Sequence, residues 1–379
     1  MRGLRSICCI CLLGCLASCA ATGPERNQKL LNLELNQWVL IHQQERGDAL
    51  QFRRQSHGGS AFDTKRGRLV LFGSDTHGQD WKNTPFFFDP VRLEWTQLYP
   101  EDGRHTYRVN EQELPVAGEQ GNRPWTMHTF GAVEYDPVRD ELIVASAPLH
   151  MVPGRFTNAL QHVWHDVERH PTWTLRFETD EWVPLDCEPV HFFPYCTAFD
   201  TDRNVVIGHR PNGVFELAGE PRSWTQVVRG GQFGWHTNAV YDSKHKALVV
   251  FGSNQNANDV VVYRVESGEY GMMPTPGDRP PEDQHNPMAF HPGIGKTVVM
   301  VDRVTERDDR GRATAGRAET WLYDLGSDSW AQVETATLPF RCGMNYNMAY
   351  DPGHDVLLLV TGDYRNPTSV WALRLTEKD

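Results

Sequence analysis

The stretch "GAVEYDPVRDELIVASA", residues 131–147, decides the fold. Two short apolar runs lie on either side of Asp136-Pro137, and aspartate followed by proline is typical of a tight turn. Runs of this length, rich in β-branched and aromatic residues and separated by a turn, favour two antiparallel strands. The stretch therefore predicts a β-hairpin.

The same phrase recurs along the chain: a small residue, an aromatic residue, usually Asp, and then an apolar run. Most copies continue into a third apolar stretch and a fourth that begins with tryptophan, as in "TWLYDLGSDSWAQV" (320–333). Four short strands repeated at this spacing predict an all-β fold, a β-propeller. The other five copies are "HGGSAFDTKRGRLVLFG" (57–73), "YCTAFDTDRNVVIGH" (195–209), "NAVYDSKHKALVVFG" (238–252), "PMAFHPGIGKTVVMV" (287–301) and "NMAYDPGHDVLLLVTG" (347–362).

The sixth copy ends with only three strands, and "NQWVLIHQQ" (36–44) supplies the missing fourth, so that the N-terminal strand closes the ring and removes an exposed edge. We count six blades. The excursions at 104–124 and 303–320 are expected to be loops, although either leaves room for a seventh blade. Over about residues 36–375 the chain resembles the kelch-like propellers, and we expect a single propeller domain at 36–379. The resemblance implies a fold and not a function, because propellers include both enzymes and binding modules.

The N-terminus has the pattern of an export signal. Two arginines precede an apolar run from Ile7 to Ala17 that is too short to span a bilayer. Leu16-Ala17-Ser18-Cys19 resembles a bacterial lipobox, which implies a lipoprotein signal peptide at 1–18, lipidation of Cys19, a lipid-anchored linker at 19–35, and an outer-membrane lipoprotein facing the periplasm or the cell surface. A plain signal peptide cut after Ala20 or Ala21 is the alternative.

Charge limits the range of partners. The whole chain carries 37 Lys and Arg residues against 49 Asp and Glu residues. Removal of a signal that contains two of the arginines leaves 35 basic residues against 49 acidic ones, a formal charge of −14. Nucleic acid is therefore excluded as an expected partner. We expect a monomer that binds an anionic polysaccharide or oligosaccharide and contacts the membrane only through its anchor.

Three cysteines lie outside the signal and the lipid site, in a chain expected to be exported to an oxidising compartment. Cys187, His191, Cys196 and His209 have donor atoms that suit a structural zinc, but their spacing is not that of a standard zinc finger. A disulfide between Cys187 and Cys196 is the main alternative, followed by unpaired thiols. Cys342 is expected to be a buried small apolar residue.

In a propeller blade the first strand begins, and the second strand ends, at the same rim. This rim is predicted to carry polar and charged side chains, whereas the opposite rim carries ordinary turns such as "DPVRD". Polar residues at such positions also commonly bond neighbouring blades, which is the alternative for each of them. Before the first strands lie His57, His128, Tyr195, His236, His285 and Asn345; after the second strands lie Asp75 with His77, His150, Arg210, Asn254, Arg303 and Arg365.

The order His128, His150, Tyr195 and Arg210 resembles the active site of the propeller-fold polysaccharide lyases that cleave ulvan, a sulfated algal polysaccharide containing uronic acids. The resemblance implies that these four residues on adjacent blades are catalytic. That family has seven blades, whereas we count six here. His57, His236, His285, Asn254, Arg303 and Arg365 are then expected to bind substrate.

The chemistry of β-elimination fits these residue types. Arg210 can neutralise a uronate carboxylate with a two-pronged contact and stabilise the enolate-like transition state. Tyr195 or His128 can remove the proton beside that carboxylate, Tyr195 can return one to the leaving oxygen, and His150 can orient the substrate.

Two other functions are compatible with the same rim: a carbohydrate-binding propeller without catalysis, and a sugar-mutarotase-like propeller. A copper-radical oxidase is not expected, because Tyr195 and Cys196 are adjacent and adjacent residues cannot form that cofactor's cross-link.

Overall fold

The computed structural model describes residues 25–52, 57–74, 81–231, 233–255, 258–282, 284, 286–343, 347–362 and 366–376. The signal peptide and Cys19 lie outside the described residues. So do five of the predicted rim residues: Asp75, His77, His285, Asn345 and Arg365. Within the described ranges, no helix is long and apolar enough to cross a membrane.

In the ranges given above, regular structure is all-β apart from two one-turn α-helices, α1 (Gln28–Leu31) and α2 (Gln161–Trp164), and two short 3-10 turns at Arg104–Thr106 and Leu149–Met151. This confirms the all-β part of the prediction.

The described strands form six four-stranded antiparallel sheets and one three-stranded sheet. The first strand, β1 (Trp38–Gln43), belongs to the last sheet. Sheet 1 contains β2 (Gly59–Asp63), β3 (Arg68–Phe72), β4 (Phe86–Asp89) and β5 (Glu94–Gln97). The side sheet contains β6 (Arg108–Val109), β7 (Pro115–Ala117) and β8 (Arg123–Pro124). Sheet 2 contains β9 (Val133–Asp136), β10 (Glu141–Val144), β11 (Trp173–Arg176) and β12 (Glu181–Pro184).

The C-terminal half continues the pattern. Sheet 3 contains β13 (Cys196–Asp200), β14 (Val205–Arg210), β15 (Gly213–Ala218) and β16 (Ser223–Arg229). Sheet 4 contains β17 (Asn238–Asp242), β18 (Ala247–Phe251), β19 (Val260–Arg264) and β20 (Tyr270–Met272). Sheet 5 contains β21 (Met288–His291), β22 (Lys296–Arg307), β23 (Ala313–Asp324) and β24 (Ser329–Leu338). Sheet 6 contains β25 (Asn347–Asp351), β26 (Val356–Thr361) and β27 (Ser369–Leu373), and β1 pairs antiparallel with β27.

The first strands of the six sheets contact one another in the order β2, β9, β13, β17, β21 and β25, and β25 contacts β2. They line a central cavity of about 240 Å³. Six antiparallel sheets with these contacts are compatible with a β-propeller.

The apolar core lies between neighbouring sheets, which explains the tryptophan that begins many of the fourth strands. The ring of Trp182, in β12 of sheet 2, lies 4.9 Å from that of Phe72 in sheet 1. The ring of Trp330, in β24 of sheet 5, lies 4.9 Å from that of Phe251 in sheet 4. Burying a ring of this size contributes about 4 kcal/mol, so each tryptophan fastens its sheet to the preceding one.

The N-terminal strand completes sheet 6 as the sequence predicts. Trp38 is opposite Leu373 in the β1–β27 pairing. The Trp38 indole N–H donates to Oγ1 of Thr320 in sheet 5 at 2.9 Å, so this tryptophan also reaches the neighbouring sheet.

Both regions expected to be loops contain strands, and that prediction was wrong. Residues 104–124 include the side sheet, and residues 303–320 belong largely to β22 and β23, a hairpin of two twelve-residue strands. The signal was hidden because the hairpin extension is rich in arginine, aspartate and glycine. Its outer part is held by pairs such as Arg312 with Asp308 and not by an apolar face.

The hairpin turns between first and second strands form what we call the lower face. In sheet 2, Asp136 Oδ1 accepts hydrogen bonds from the backbone N–H groups of Val138 and Arg139 at 2.8 and 3.0 Å, and Arg139 Nη1 lies 3.2 Å from Asp136 Oδ2. These turns satisfy their own polar groups, as the sequence predicts. Similar turns are built on Asp63, Asp200, Asp242 and Asp351.

The described N-terminal segment docks on this lower face. The backbone N–H of Asn27 donates to Nε2 of His354 at 2.9 Å. The Asn27 side-chain amide donates to the carbonyls of Pro90 and Val91 at 3.1 and 3.0 Å. The chain therefore reaches the sheets from the side opposite the starts of the first strands, which we call the upper face.

Candidate active site

Three imidazoles lie in contact at the upper face of sheets 1 and 2. His57 precedes β2, His128 precedes β9, and His150 lies in the 3-10 turn after β10. The ring centroids of His57 and His128 are 4.1 Å apart with nearly parallel planes, and those of His128 and His150 are also 4.1 Å apart. The hairpin geometry inferred from the sequence thus brings both predicted histidines together and adds His57.

His128 is the middle ring of this stack, which we call the histidine stack. It is 1% exposed, whereas His57 and His150 are partly exposed. Ser146, just after β10, donates its hydroxyl to the His128 carbonyl at 2.5 Å. The outer rings therefore have the better access to a ligand, and His128 supports them from within.

Two phenylalanines join the histidine stack to sheet 3. The Phe193 ring centroid lies 5.0 Å from those of both His128 and His150. Phe193 also stacks on Phe130 at 5.2 Å, and Phe130 lies 4.9 Å from His57. Because Phe193 is only two residues from Tyr195, this packing ties the tyrosine to the histidines.

Tyr195 and Arg210 form the other half of the site. Tyr195 precedes β13 and Arg210 ends β14, so the two meet at the upper edge of sheet 3. The Arg210 guanidinium carbon lies 6.0 Å from the centre of the Tyr195 ring. Both side chains are partly exposed, so a ligand can reach them.

Arg210 is charged but has no acidic partner among the residues that the structure describes. Its Nε is buried and makes no hydrogen bond within that part of the chain. Burial lowers the pKa of the guanidinium, which nonetheless stays protonated at any ordinary pH. An uncompensated, partly desolvated guanidinium is suited to bind the carboxylate or sulfate of a ligand.

Comparison with known proteins does not assign the chain to a family. No protein-family model matches it, and no curated protein matches it at significant similarity. Function is therefore inferred from the geometry of the upper face.

Left-handed backbone conformations occur just before the first strands of three sheets. His57, Phe130 and His236 have φ angles of 77°, 42° and 70°, and each lies six residues before the aspartate that ends its first strand. Residues other than glycine adopt such angles at a cost of about 1–3 kcal/mol and are enriched at functional sites. The strain fixes the direction in which two imidazoles and one phenyl ring point.

His236 and Asn254 lie together in sheet 4. His236 Nδ1 contacts Gln284 Oε1 at 2.8 Å, and the His236 backbone N–H donates to the Pro194 carbonyl at 2.8 Å. Burial lowers the pKa of His236, with the Gln284 contact acting in the opposite direction. Asn254 is exposed, and its backbone N–H donates to the Trp235 carbonyl at 3.0 Å. Both residues therefore lie beside the Phe193–Tyr195 segment, where a ligand on Tyr195 would extend.

Arg303 is held differently from Arg210. Its Nε and Nη2 donate to the buried carboxylate of Glu319 at 2.5 and 2.9 Å, and Arg317 pairs with the same carboxylate. Its positive charge is therefore largely compensated within sheet 5. A role in substrate binding stays a prediction for Arg303, as for His285 and Arg365.

The four predicted zinc or disulfide residues are not assembled. The β13–β14 register places Cys196 opposite His209, but Cys196 Sγ contacts Thr237 Oγ1 at 3.3 Å and His209 Nε2 contacts the Tyr270 hydroxyl at 2.9 Å. Among the described residues, no group of three or more His, Cys, Asp or Glu side chains is placed to hold a metal ion.

Cys187 and Cys196 are both free thiols, so the disulfide is not formed either. His191 Nε2 contacts the His170 carbonyl at 2.6 Å. Cys196 is fully buried in the core between sheets 3 and 4, whereas Cys187 lies on the partly exposed connection that precedes β13. The Cys196 thiol contacts Thr237, just before the first strand of sheet 4, and does not pair with Cys187. Cys342 is buried among apolar residues, as predicted.

Sequence reasoning missed Glu134, a carboxylate that lines the central cavity. Thr197 Oγ1 donates to Glu134 Oε1 at 2.8 Å. Burial raises the pKa of Glu134 to about 8, opposed by hydrogen bonds from Thr197 and from the Phe199 backbone. Alignment of the six copies carries the signal, because the matching position is small or apolar in the other five: Ala61, Ala198, Val240, Ala289 and Ala349.

Proposed function

We propose that this protein is a polysaccharide lyase that cleaves a uronate-containing, ulvan-like polysaccharide by β-elimination at its upper face. The observation that carries the proposal is the pair formed by Tyr195 and Arg210, 6.0 Å apart beside the histidine stack. It combines an anion-binding group that has no acidic partner in the described part of the chain with a group able to transfer a proton.

In the proposed reaction, the substrate carboxylate binds Arg210, and the C5 proton beside that carboxylate is removed. The electrons of the C5–H bond form the C4–C5 double bond, and the C4–O bond breaks with its electrons remaining on the leaving oxygen. That oxygen takes up a proton, so the products differ from hydrolysis products by one water. Arg210 stabilises the negative charge that develops on the carboxylate in the transition state.

Tyr195 is assigned the proton transfers, because it is partly exposed beside Arg210. His128 is buried between two rings and is assigned a positioning role, in which it holds His150 against Phe193. His150 and His57, at the two faces of the stack, are assigned to substrate contact. The buried position of His128 thus favours Tyr195 over His128 as the base.

The net negative charge of the chain disfavours a polyanionic ligand in general, so binding must depend on local charge. Arg210 provides one such charge. Arg155 provides another, since its guanidinium carbon lies 5.5 Å from the Phe156 ring centre and the Phe156 ring lies 5.1 Å from His150.

The proposed fold is a kelch-like, six-bladed β-propeller, closed by the N-terminal strand. The contacts of the first strands, from β2 round to β25 and back to β2, support six blades. The pairing of β1 with β27 supports the closure. Small-angle scattering that fits an open or elongated arrangement of the sheets would contradict this proposal.

The direct test is incubation of the purified protein with ulvan and with a panel of other uronate polysaccharides. We expect ultraviolet absorbance from an unsaturated uronate with at least one of them. Arg210→Lys should lose most of this activity, because a point charge cannot reproduce the two-pronged guanidinium contact. Binding without elimination across the whole panel would favour the carbohydrate-binding alternative.

We also propose export and anchoring as an outer-membrane lipoprotein acylated at Cys19. The docking of Asn27 on the lower face supports an anchor that emerges away from the site. Metabolic labelling with palmitate should be lost in Cys19→Ser, and label that persists in this variant would contradict the proposal.

A further inference from the structure

Two large aromatic side chains are exposed at the upper face. Phe156 is 49% exposed and Trp235 is 53% exposed. Phe156 follows the 3-10 turn of sheet 2 that carries His150, and Trp235 immediately precedes His236 of sheet 4. Exposing a ring of this size forgoes its burial, so a pair at one face calls for a function.

The two rings are the ends of a continuous series of ring contacts. From Phe156 the series passes to His150 at 5.1 Å, to Phe193 at 5.0 Å and to Phe130 at 5.2 Å. It then passes to His236 at 6.4 Å and to Trp235 at 6.3 Å. Each step is within the range of ordinary aromatic contacts, so the series joins the two exposed rings through the buried Phe193 and Phe130, and we call it the aromatic track.

The aromatic track crosses the proposed reaction centre. Phe156 belongs to sheet 2 and Trp235 to the approach to sheet 4, whereas Tyr195 and Arg210 belong to sheet 3, which lies between them in the order of first-strand contacts. The exposed rings therefore flank the Tyr195–Arg210 pair on both sides.

Sugar rings suit such a surface. A pyranose presents a face of C–H groups that packs against an aromatic ring, while its hydroxyl and acidic groups point to the sides. Both ends offer polar partners for those groups. Arg155 lies beside Phe156, and the exposed Asn254 lies beside Trp235.

We propose that Phe156 and Trp235 are sugar-stacking platforms on either side of the reaction centre, so that the site binds several consecutive residues of an acidic polysaccharide and cuts within the chain. The inference rests on the proposed function for the cutting step, but the stacking itself requires only that the upper face binds glycans.

The test compares Phe156→Ala and Trp235→Ala with the conservative variants Phe156→Tyr and Trp235→Phe. Val138→Ala is the matched control, because Val138 is 61% exposed in a turn of the lower face. We expect KM for the polymer to rise about five- to tenfold in each alanine variant, with kcat changed less than about twofold. The conservative variants should retain most of the affinity. Circular dichroism and Tm of every variant establish that it is folded.

Four outcomes are distinguishable. A wild-type protein that cleaves the polymer, with KM in both alanine variants as unaffected as in Val138→Ala, overturns the platforms and leaves the lyase standing. Wild-type protein that binds the polymer without cleaving it, with binding weakened in Trp235→Ala, supports the platforms and overturns the lyase. Binding that is unaffected by either alanine variant overturns the platforms, and wild-type protein that neither binds nor cleaves any polymer in the panel overturns both.

Discussion

Polar side chains at the two ends of the β9 strand differ in whether they are paired within the protein. At the lower end, Asp136 accepts hydrogen bonds from two backbone N–H groups and pairs with Arg139, so the turn is complete in itself. At the upper end, His128 lies within a stack of imidazoles, and Arg210 of the next sheet is charged without an acidic partner among the described residues.

The same contrast holds across the sheets. In the lower-face turns of sheets 1, 2 and 3, an arginine lies three residues after the aspartate. In each turn the two side chains form an ion pair. The upper face instead holds imidazoles in contact with one another, a guanidinium without an acidic partner among the described residues, and two exposed aromatic rings. The lower face therefore stabilises the fold, whereas the upper face leaves charged and aromatic groups accessible.

The largest expected effect is on catalytic activity, which should depend on the upper face and not on the lower face. Tyr195→Phe should lower kcat by about 10²–10⁴-fold, because the variant cannot transfer a proton. Its matched control is Tyr241→Phe, which removes a lower-face hydroxyl that donates to Asp202 at 2.7 Å. Initial rates of double-bond formation measure both variants. Full activity in Tyr195→Phe, or an equal loss of activity in Tyr241→Phe, would contradict the claim that the upper face carries the activity.

The next largest effect is on stability, which should depend on the lower-face turns. Asp136→Ala should reduce the free energy of unfolding by about 3 kcal/mol, because two partly buried backbone N–H donors and Arg139 lose the buried carboxylate that accepts from them. The activity per folded molecule should stay close to that of the wild type. Urea unfolding combined with the same rate assay checks this. A variant with unchanged stability would show that the turn does not depend on its aspartate.

The smallest effect lies between the two ends of β9, at Glu134. Its pKa is raised to about 8 by burial, so from pH 4.5 to 8 the folded state keeps a proton that the unfolded state has lost. Stability of the wild type therefore falls as pH rises through this window. The glutamine of Glu134→Gln does not titrate, so the variant avoids this loss of stability. Its free energy of unfolding at pH 7 should exceed that of the wild type by about 2 kcal/mol, a value reduced to allow for screening by water in the cavity.

Thermal unfolding of the wild type and Glu134→Gln across pH 4 to 9 measures this difference. The gap between the two proteins should be near zero below pH 4.5, widen as the pH rises, and level off above about 8. A gap that is constant with pH would mean that Glu134 has the same pKa in the folded and unfolded states.

Much of the fold is predictable because it depends on local patterns. The repeated aspartate turns and the strand-leading tryptophans specify hairpins and the contacts between sheets, and Trp38 identifies the strand that completes sheet 6. The β22–β23 hairpin was missed, because its outer strands are polar and are held by ion pairs that have no periodic signature.

The site was predictable only in part. Strand direction places His128 with His150, and Tyr195 with Arg210, at one rim. The stacking of the three imidazoles and the bridge through Phe193 depend on positive φ angles and on packing between sheets, which sequence alone does not show. The cysteines and histidines predicted to form a zinc site or a disulfide are not assembled, for a related reason. Closeness along the chain does not show which side chains are buried in the core between sheets.

The most direct measurement of the central claim is the mass of the products released from a uronate polysaccharide by the wild-type protein. If elimination takes place at the Tyr195–Arg210 pair, the products are oligosaccharides with an unsaturated uronate at the new non-reducing end. Each of these is lighter by one water than the corresponding product of hydrolysis. Products that contain no unsaturated uronate and have gained one water per cleaved bond, or a polymer that binds and is recovered intact, would contradict it.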